Sequence, residues 1–527
     1  MKNFIFRNNT IEQLFTGKDY VYSGYEDISY IPDNADRYIW FYQIPIEYNQ
    51  ITLSEKVISY LQGLTYVLNS IDSEKTIIAF TIEDIYSVKF SDDDFRLTEA
   101  IDNYNNSLIE LSRTHSNIKI AYFSSFVRNY DCKDLINWKY FFISQMAFNP
   151  KIVPAFKKWF NKLTDEISFK CKKCLVLDLD NTLWGGILGE DGINGIKIGG
   201  GYPGNAFLSF QKGLIELSKN GVILTICSKN NEKDVLEAWG KNPFIVLKKE
   251  YISAYRINWQ DKATNIKELS QELNIGLDSF VFIDDNPAER ELIKQIFPMI
   301  ETPDFPVKPY ILPVFFAGLV NDYFKTYSTT EEDKKKTKQY KINALRNKEQ
   351  QTFTDFSTFL KSLNIELSIM AADKFNIPRI AQMTQKTNQF NLTTKRYTDS
   401  DIKNFLKDGY KIFCLSVKDK FGENGITGCI IINGNKIDEL LLSCRILGKN
   451  IEYEFLKSIL NKLNSEYGFN EIIAQYIPTL KNSQVESFYD KFGFNLIEKT
   501  NDGIKTYSLN LQDTDLQTEP FYKIVYL

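Results

Sequence analysis

Short, continuous apolar runs recur along the 527-residue chain, and longer segments with helical spacing separate them. Three such runs, RYIWFYQI, TIIAFTI and NIKIAYFSS, fall in the first 165 or so residues, and CLVLDLD, GVILTIC, FIVL and FVFID follow between Cys174 and about Ile300. Strands that are apolar throughout are buried on both faces, and strands that alternate with helices favour a parallel sheet. The pattern therefore predicts an α/β fold with two doubly wound parallel sheets.

The length of the chain and one charged stretch predict several domains, because a chain of this size exceeds a single core. The segment TTEEDKKKTKQYKINALRNKEQQ is polar and dense in charge, which is typical of an exposed helix or linker. After it, helices mix with strands such as KIFCLSV and GITGCIII, which indicates an α+β domain. We expect domains at residues 1–168, 169–325 and 353–510, with the charged linker or helix at 326–352.

Composition excludes several classes of function. A formal net charge of -4 gives no argument for nucleic acid or an anionic membrane. An odd count of seven cysteines without regular spacing indicates a reducing compartment, and no apolar stretch approaches a membrane span, so a cytoplasmic protein is expected. His115 is the only histidine, which removes histidine-ligated zinc sites and leaves one possible base for a Ser-His-Asp triad.

The segment CLVLDLDNTLW carries the strongest chemical signal. An apolar strand leads directly into Asp178 and Asp180, and ligands of open parallel sheets bind at the carboxyl ends of strands. If the backbone stays extended, residues two apart point to the same side, so the two carboxylates would share a face. Two neighbouring carboxylates repel, and magnesium with oxygen ligands would hold both ionised.

Two other strand ends and one helix start supply the remaining groups of a phosphate site. GVILTICSKN delivers Ser228, FVFIDDNP delivers Asp284 and Asp285, and Lys262 opens the helix after NWQD. A carboxylate nucleophile, an acid/base carboxylate, a hydroxyl, a lysine and an acidic pair suffice for phosphoryl transfer through an aspartyl-phosphate.

DLDNT, the serine of CSKN, Lys262 and IDDNP resemble, in order, the four motifs of the haloacid dehalogenase phosphatase superfamily. The resemblance implies Asp178 as nucleophile and Asp180 as general acid/base. The insert WGGILGEDGINGIKIGGGYPGN is too short for a large cap domain, which implies an open site for a large or carrier-bound substrate. The implied phosphate-binding residues are Thr182 and Ser228, bridged by Lys262, and the implied magnesium ligands are Asp178, Asp180 (through its carbonyl) and Asp284. Lys229 and Asn230, which follow Ser228, are further candidates for substrate binding.

Longer strings are similar to a narrower group, the FkbH-like proteins. They are DLDNTLWGGILGEDG, ICSKN, FIDDNPAERE, KTNQFNLTTKRYT, SCRILGKNIE and YIPTLKN, within about Trp138 to Phe494. This resemblance implies transfer of a glyceryl unit from 1,3-bisphosphoglycerate to the phosphopantetheine thiol of an acyl carrier protein, with removal of phosphate. The thiol could attack directly, or the acyl group could pass through Cys227, which precedes Ser228, or through Cys444.

The strand DELLLSC, the turn Arg445–Asn450 and the helix after it resemble the coenzyme A loop of the GCN5-related acetyltransferase fold. Arg445 and Gly448 would then bind phosphopantetheine through backbone amides at a helix start. Asn450 replaces the usual Gly or Ala, and a domain that has lost its ligand is the alternative. Asn388 in KTNQFNLTTKRY would contact substrate or hold the junction between two domains.

The N-terminal pattern resembles SGNH-hydrolase-like domains, but it contains no Gly-Asp-Ser block near the start and no Asp-x-x-His pair. A scaffold or a carrier-docking role without hydrolase chemistry is therefore expected there. Two alternatives to glyceryl transfer stay open for the whole chain. One is a phosphatase or phosphotransferase that acts on another phosphorylated metabolite, and the other is a non-catalytic carrier-docking scaffold.

Overall fold

The structure is a computed structural model that describes residues 2–72, 75–329, 355–443, 446–479 and 481–527. The chain divides into two compact units. One runs through Ser168 and includes Thr398–Asp401, and the other consists of Phe169–Tyr397 and Ile402–Leu527. Within these described ranges, no helix is both long and apolar enough to cross a lipid bilayer.

The first unit contains a five-stranded parallel sheet in the order β2-β1-β3-β4-β5. Its strands are β1 (Asn3–Arg7), β2 (Tyr20–Tyr25), β3 (Arg37–Phe41), β4 (Thr76–Phe80) and β5 (Ile118–Ala121). Its helices are α1 (Gln50–Ser70), α2 (Arg96–Thr114), α3 (Ser124–Val127), α4 (Cys132–Leu135), α5 (Trp138–Ser144) and α6 (Val153–Ile167). The three apolar runs of this region are β3, β4 and β5, as predicted.

Neighbouring residues of these strands pack into different cores, one on each face of the sheet. Trp40 of β3 packs with Leu64 of α1 and Leu108 of α2. Phe41, the next residue, packs with Phe156 of α6. The first sheet is therefore covered by helices on both faces, as its continuous apolar strands predict.

The central part of the second unit holds a four-stranded parallel sheet in the order β8-β7-β6-β9. Its strands are β6 (Cys174–Leu177), β7 (Ile223–Ser228), β8 (Ile252–Ile257) and β9 (Phe280–Ile283). Its helices are α7 (Leu188–Gly195), α8 (Gly204–Lys219), α9 (Glu232–Lys241), α10 (Lys262–Leu273), α11 (Pro287–Ile296) and α12 (Leu312–Leu319). Both faces of this sheet are also buried under apolar side chains.

One predicted strand is wrong. The apolar run FIVL, Phe244 to Leu247, is a loop, and the strand that pairs with β7 is β8, a few residues later. Ile245 and Leu247 are fully buried, so the run does fill the core. The amides of Val246 and Leu247 both donate to Oε1 of Gln211, at 3.0 Å each, and thus need no strand partner.

The C-terminal part contains a nine-stranded mixed sheet in the order β16-β17-β15-β14-β13-β12-β10-β18, with β11 paired to β14. Its strands are β10 (Glu366–Ala371), β11 (Phe390–Asn391), β12 (Lys411–Asp419), β13 (Gly422–Asn433), β14 (Lys436–Leu442), β15 (Glu471–Tyr476), β16 (Asn495–Lys499), β17 (Lys505–Asn510) and β18 (Lys523–Tyr526). Its helices are α13 (Phe356–Ser362), α14 (Ile377–Lys386), α15 (Asp399–Lys407), α16 (Ile451–Tyr467) and α17 (Phe488–Phe492).

Most strand pairs of this sheet are antiparallel, whereas β10–β18 and β14–β15 are parallel. Helices and strands are mixed along this part of the chain, as its sequence predicts. Because β18 completes one edge, the sheet extends past the predicted domain end at residue 510. Most of the predicted linker, residues 330–352, lies outside the described residues.

The central and C-terminal parts of the second unit contact each other at one edge of the four-stranded sheet. Lys481 forms an ion pair with Asp278, and Nζ of Lys386 lies 4.4 Å from the ring centroid of Phe169. Asp278 and Phe169 precede β9 and β6 in the chain. These contacts therefore lie at the amino-terminal edge of the parallel strands, opposite the edge where their carboxyl ends meet.

Candidate active site

The carboxyl ends of β6 and β9 bring two aspartates together. Leu177 pairs with Ile283 across the two strands, and the Asp178 amide donates to the Ile283 carbonyl at 3.0 Å. Asp178 and Asp284 are the residues that follow. Lys262, the first residue of α10, places Nζ 3.1 Å from Asp178 Oδ1 and 2.5 Å from Asp284 Oδ2. All three side chains are buried.

A third carboxylate joins this group. Asp178, Asp284 and Asp285 each offer an oxygen, and these oxygens lie within 4.8 Å of one another. Burial raises the pKa of Asp178 to about 7, with Lys262 opposing and Asp284 adding to the rise. Burial alone would lower the pKa of Lys262, but the two aspartates raise it, so the ammonium stays charged.

The donor set fits a divalent cation. One ammonium faces three carboxyl groups, so the group carries excess negative charge when all three are ionised, and hard oxygen ligands are those that magnesium prefers. Thr182 Oγ1 is buried and forms no hydrogen bond within the part of the chain that the structure describes, and Asp178 Oδ1 has the ion pair with Lys262 but no hydrogen bond there. Buried polar atoms are normally satisfied, so these two are available to a bound cation and phosphate.

Asp180 is held by a separate set of donors. Its Oδ1 accepts hydrogen bonds from Trp184 Nε1 at 2.9 Å and from the Leu188 amide at 3.0 Å, and its Oδ2 accepts one from Asn230 Nδ2 at 2.9 Å. Strand β6 ends at Leu177, so the extended-backbone argument for a face shared with Asp178 does not apply. The group of three carboxylates does not include Asp180, and its predicted contribution to the metal, through its carbonyl, stays a prediction.

The CSKN motif divides between the site and its rim. Ser228 is the last residue of β7, and Asn230 Nδ2 donates both to Ser228 Oγ at 3.1 Å and to Asp180. Ser228 is buried, and it lowers the pKa of Asp178 by hydrogen bonding. Lys229 instead forms an ion pair with Glu289 at 2.6 Å, and the lysine side chain is half-exposed. Substrate binding by Ser228 and Asn230 stays a prediction, and both side chains lie where they could take part in it. The ammonium of Lys229 already pairs with a carboxylate.

Cys227 does not suit the predicted catalytic role. Its side chain is fully buried among apolar residues of the sheet core, and its Sγ contacts only the Lys262 carbonyl, at 3.8 Å, among its hydrogen-bonding contacts in the described residues. Burial raises the pKa of its thiol to about 12. Because the thiolate is the nucleophile, this burial favours a core role for Cys227, and its catalytic role stays a prediction. Cys444 lies outside the described residues.

Asn388, which the sequence predicts to contact substrate or to hold a domain junction, lies away from the aspartates. Asn388 accepts a hydrogen bond from Arg396, and the adjacent Gln389 lies beside Gly276, close to the amino-terminal edge of the four-stranded sheet. This placement favours the junction role of Asn388 over substrate contact. Arg445 lies outside the described residues.

Gly448, with φ +76°, belongs to the turn that leads into α16. The first turn of α16 carries two acidic residues, Glu452 and Glu454. Carboxylates at a helix start would repel a pyrophosphate there. The geometry of this turn therefore gives no support to tight pyrophosphate binding, in agreement with Asn450 at the position of the usual small residue.

Two supporting residues were missed by sequence reasoning. Trp184 holds Asp180, and Arg290 is buried in α11, where its Nη1 donates to the carbonyls of Asp284 at 2.7 Å and Asp285 at 3.0 Å. Arg290 precedes the buried Ile293 by three residues, so helical spacing puts a charged side chain on the apolar face of α11. A charged residue on the apolar face of a helix indicates a buried side chain with a polar partner, and this pattern was the sequence signal for Arg290.

Residues 173–308 match the family model described as NLI interacting factor-like phosphatase. Among solved structures, the chain is similar to the N-terminal part of protein BF1531 from Bacteroides fragilis, which contains a phosphatase domain complexed with Mg. The identity is 25% and the TM-score 0.51, over 62% of this chain and 94% of that chain. No curated protein matches the chain.

Two acetyltransferases also align, with a TM-score of 0.22 each, which is too low to carry an argument. A spermidine N-acetyltransferase from Vibrio cholerae is 12% identical and covers 28% of this chain and 94% of its own. The putative acetyltransferase yncA from Salmonella typhimurium is 14% identical and covers 28% of this chain and 96% of its own.

The prediction of a haloacid dehalogenase-type phosphatase domain, and hence of an enzyme, is confirmed for the central region.

Proposed function

We propose that the chain is an FkbH-like enzyme that transfers a glyceryl unit from 1,3-bisphosphoglycerate to the phosphopantetheine thiol of an acyl carrier protein and releases phosphate. The observation that carries this proposal is the buried group of Asp178, Lys262 and Asp284 at one sheet edge, within strings similar to that family. The proposed domains are an SGNH-hydrolase-like one at 1–168, the phosphatase-type one at 169–325 and an acetyltransferase-like one from 353.

Magnesium is the proposed cofactor. Asp178, Asp284 and Asp285 would hold it, and it would supply positive charge that offsets these carboxylates and the phosphate. The Mg complex of the Bacteroides fragilis phosphatase domain supports this choice. The residues of this chain then bind and orient the substrate around Asp178.

In the phosphate-removing step, the Asp178 carboxylate attacks phosphorus, and the bond between phosphorus and the leaving oxygen breaks. Lys262 holds positive charge beside the nucleophile, and the free Thr182 hydroxyl is available to a phosphoryl oxygen. Asp180 gives its proton to the leaving oxygen, and the donors Trp184 and Asn230 stabilise the carboxylate that remains. That carboxylate then accepts a proton from the water that hydrolyses the aspartyl-phosphate.

The acyl-transfer step is proposed to use the carrier thiol directly. Sulfur attacks the carbonyl carbon of the acyl phosphate, a C–S bond forms, the C–O bond to the phosphate breaks, and the departing phosphate takes the proton of the thiol. The buried Cys227, with its raised thiol pKa, supports this route over a relay through that residue. We expect Cys227→Ser to retain transfer, measured as the rate of carrier loading.

Incubation of the protein with 1,3-bisphosphoglycerate, magnesium and holo-carrier tests the proposal. The mass of the carrier should increase by one glyceryl unit, and phosphate should be released. Asp178→Asn removes the covalent nucleophile and should lower release of the 3-phosphate by about 10³-fold or more, whereas the acyl phosphate is still displaced by the carrier thiol. A carrier that gains no mass would contradict the proposal.

A second candidate function is a phosphatase of another phosphorylated metabolite, and the match of residues 173–308 to a phosphatase family favours it. It predicts release of phosphate from sugar or nucleotide phosphates with no carrier present. Asp178→Asn should abolish that release as well, so the two functions are separated by the need for the carrier and not by this variant.

A further inference from the structure

An exposed tryptophan lies at the rim of the phosphate site. Trp259 stands two residues after β8, whose last residue, Ile257, pairs with Ser228 of β7. The amide of Asn258 continues the ladder by donating to the Ser228 carbonyl at 3.1 Å. Lys262 follows three residues later, so both flanks of Trp259 are tied to the site. Its side chain is 71% exposed.

The ring of Trp259 is fixed although it is exposed. Its Nε1 donates to Asn231 Oδ1 at 2.9 Å, and Asn231 is adjacent to the Asn230 that bonds Ser228 and Asp180. The loop below the ring is also braced, because Asn258 exchanges side-chain hydrogen bonds of 2.9 and 3.2 Å with the buried Asn265. The tryptophan therefore presents a preoriented apolar surface to solvent.

The chemistry of this surface differs from that of the site beside it. Asp178, Lys262 and Asp284 recognise charge, whereas an indole ring offers a large apolar face. A small, strongly hydrated metabolite such as 3-phosphoglycerate has no apolar part to place against such a face, whereas the base of a nucleotide would stack on it. A phosphate at the end of an extended chain can place the apolar segments of that chain against the indole ring. Exposed, rigid aromatic residues are frequent anchors of binding.

We propose that Trp259 is a specificity-determining residue of the phosphate site, which selects phosphorylated groups carried on an extended pantetheine-like arm. The arm would lie on the indole face while the phosphoryl group enters between Thr182, Lys262 and the three aspartates. This inference rests on the proposed function and names the part of the substrate that the rim recognises.

A matched pair of probes tests it: the 3-phosphoglyceryl thioester of pantetheine, and 3-phosphoglycerate, which has the same phosphorylated group and no arm. In Trp259→Ala, the ratio of kcat/KM for the thioester to kcat/KM for 3-phosphoglycerate should fall about tenfold, mainly through the KM of the thioester. Asn231→Ala should lower the same ratio about threefold, because the ring loses its fixed orientation.

Ile296→Ala is the control variant. Ile296 is 47% exposed, but it ends α11 about 13 Å from the first residue of that helix, which follows Asp285 by two positions. Its loss should leave the ratio unchanged. A ratio that stays constant in Trp259→Ala, whether or not both rates fall together, overturns the proposal.

A binding measurement separates this inference from the proposed function. In Asp178→Asn, the thioester should quench tryptophan fluorescence, and the signal should vanish when Trp259→Phe is added. If the wild type turns over neither probe, the proposed function is contradicted. The fluorescence titration with the thioester then tests by itself whether Trp259 binds the arm. Binding without a change in the fluorescence of Trp259 overturns the inference.

Discussion

Lys262 joins the two buried aspartates of the site, Asp178 and Asp284, and its side chain is 4% exposed. Its position follows from the sequence, because Lys262 opens the helix after β8. Asp178 and Asp284 follow β6 and β9, which are adjacent strands of the same sheet. The convergence of these three side chains could therefore be predicted from strand ends alone. Trp184 could not, because its hydrogen bond to Asp180 depends on the path of the backbone after the strand. For Arg290 the sequence signals a charged side chain on an apolar helix face, but not the carbonyls to which it donates.

Replacement of the lysine should therefore affect stability as well as activity. Lys262→Met leaves the Asp178 and Asp284 carboxyl groups buried with no ammonium between them, and we expect a loss of about 3 kcal/mol of unfolding free energy in urea with chelator present. Added magnesium should recover part of that loss.

Lys229→Met is the control for this prediction, because its pair with Glu289 is partly exposed and such pairs contribute about 1 kcal/mol or less. Equal unfolding curves for Lys262→Met and wild type would show that the ammonium does not balance the aspartates.

At the scale of elements, most strands and helices could be predicted, and the failure at Phe244 to Leu247 has a definite cause. Apolar periodicity reports burial, and Ile245 and Leu247 are indeed buried. It does not report where backbone amides find acceptors, and here the acceptor is the side chain of Gln211 in α8. No local signal distinguishes such a loop from a strand.

Gln211 should consequently be important for the stability of the central sheet. Its Nε2 also donates to the Leu183 carbonyl at 2.8 Å, so Gln211→Leu removes the partner of two buried backbone groups and of the partly buried Val246 amide. We expect the unfolding free energy of the second unit to fall by about 2 to 4 kcal/mol, as measured in urea. Gln295→Leu, an exposed position on α11, should change it by less than about 0.5 kcal/mol. Similar losses at both positions would contradict this role for Gln211.

At the scale of the molecule, α/β organisation with a further mixed sheet could be predicted, whereas the way the central and C-terminal parts meet could not. The contacts of Lys481 with Asp278 and of Lys386 with Phe169 involve residues more than 200 positions apart. No pattern within either segment encodes that pairing. The sequence left the role of Asn388 open for the same reason.

The position of this junction predicts its independence from catalysis. Lys481→Glu replaces attraction to Asp278 by repulsion at the amino-terminal edge of the sheet. Phosphate release should stay within about twofold of the wild-type kcat/KM, since the reacting groups follow the opposite ends of the strands. The side chains of the pair are 56% and 42% exposed, so the loss of stability should be about 1 kcal/mol or less. A large loss of phosphate release would show that the junction and the reacting groups are coupled.

The contact of the C-terminal part with the amino-terminal edge of the four-stranded sheet has an evolutionary consequence. Residues around Trp259 and Asn231 can be exchanged without altering the surface that Phe169 and Asp278 supply to the neighbouring sheet. Selectivity for new substrates can thus diversify at one end of the strands, while the partnership between the two sheets is inherited intact at the other.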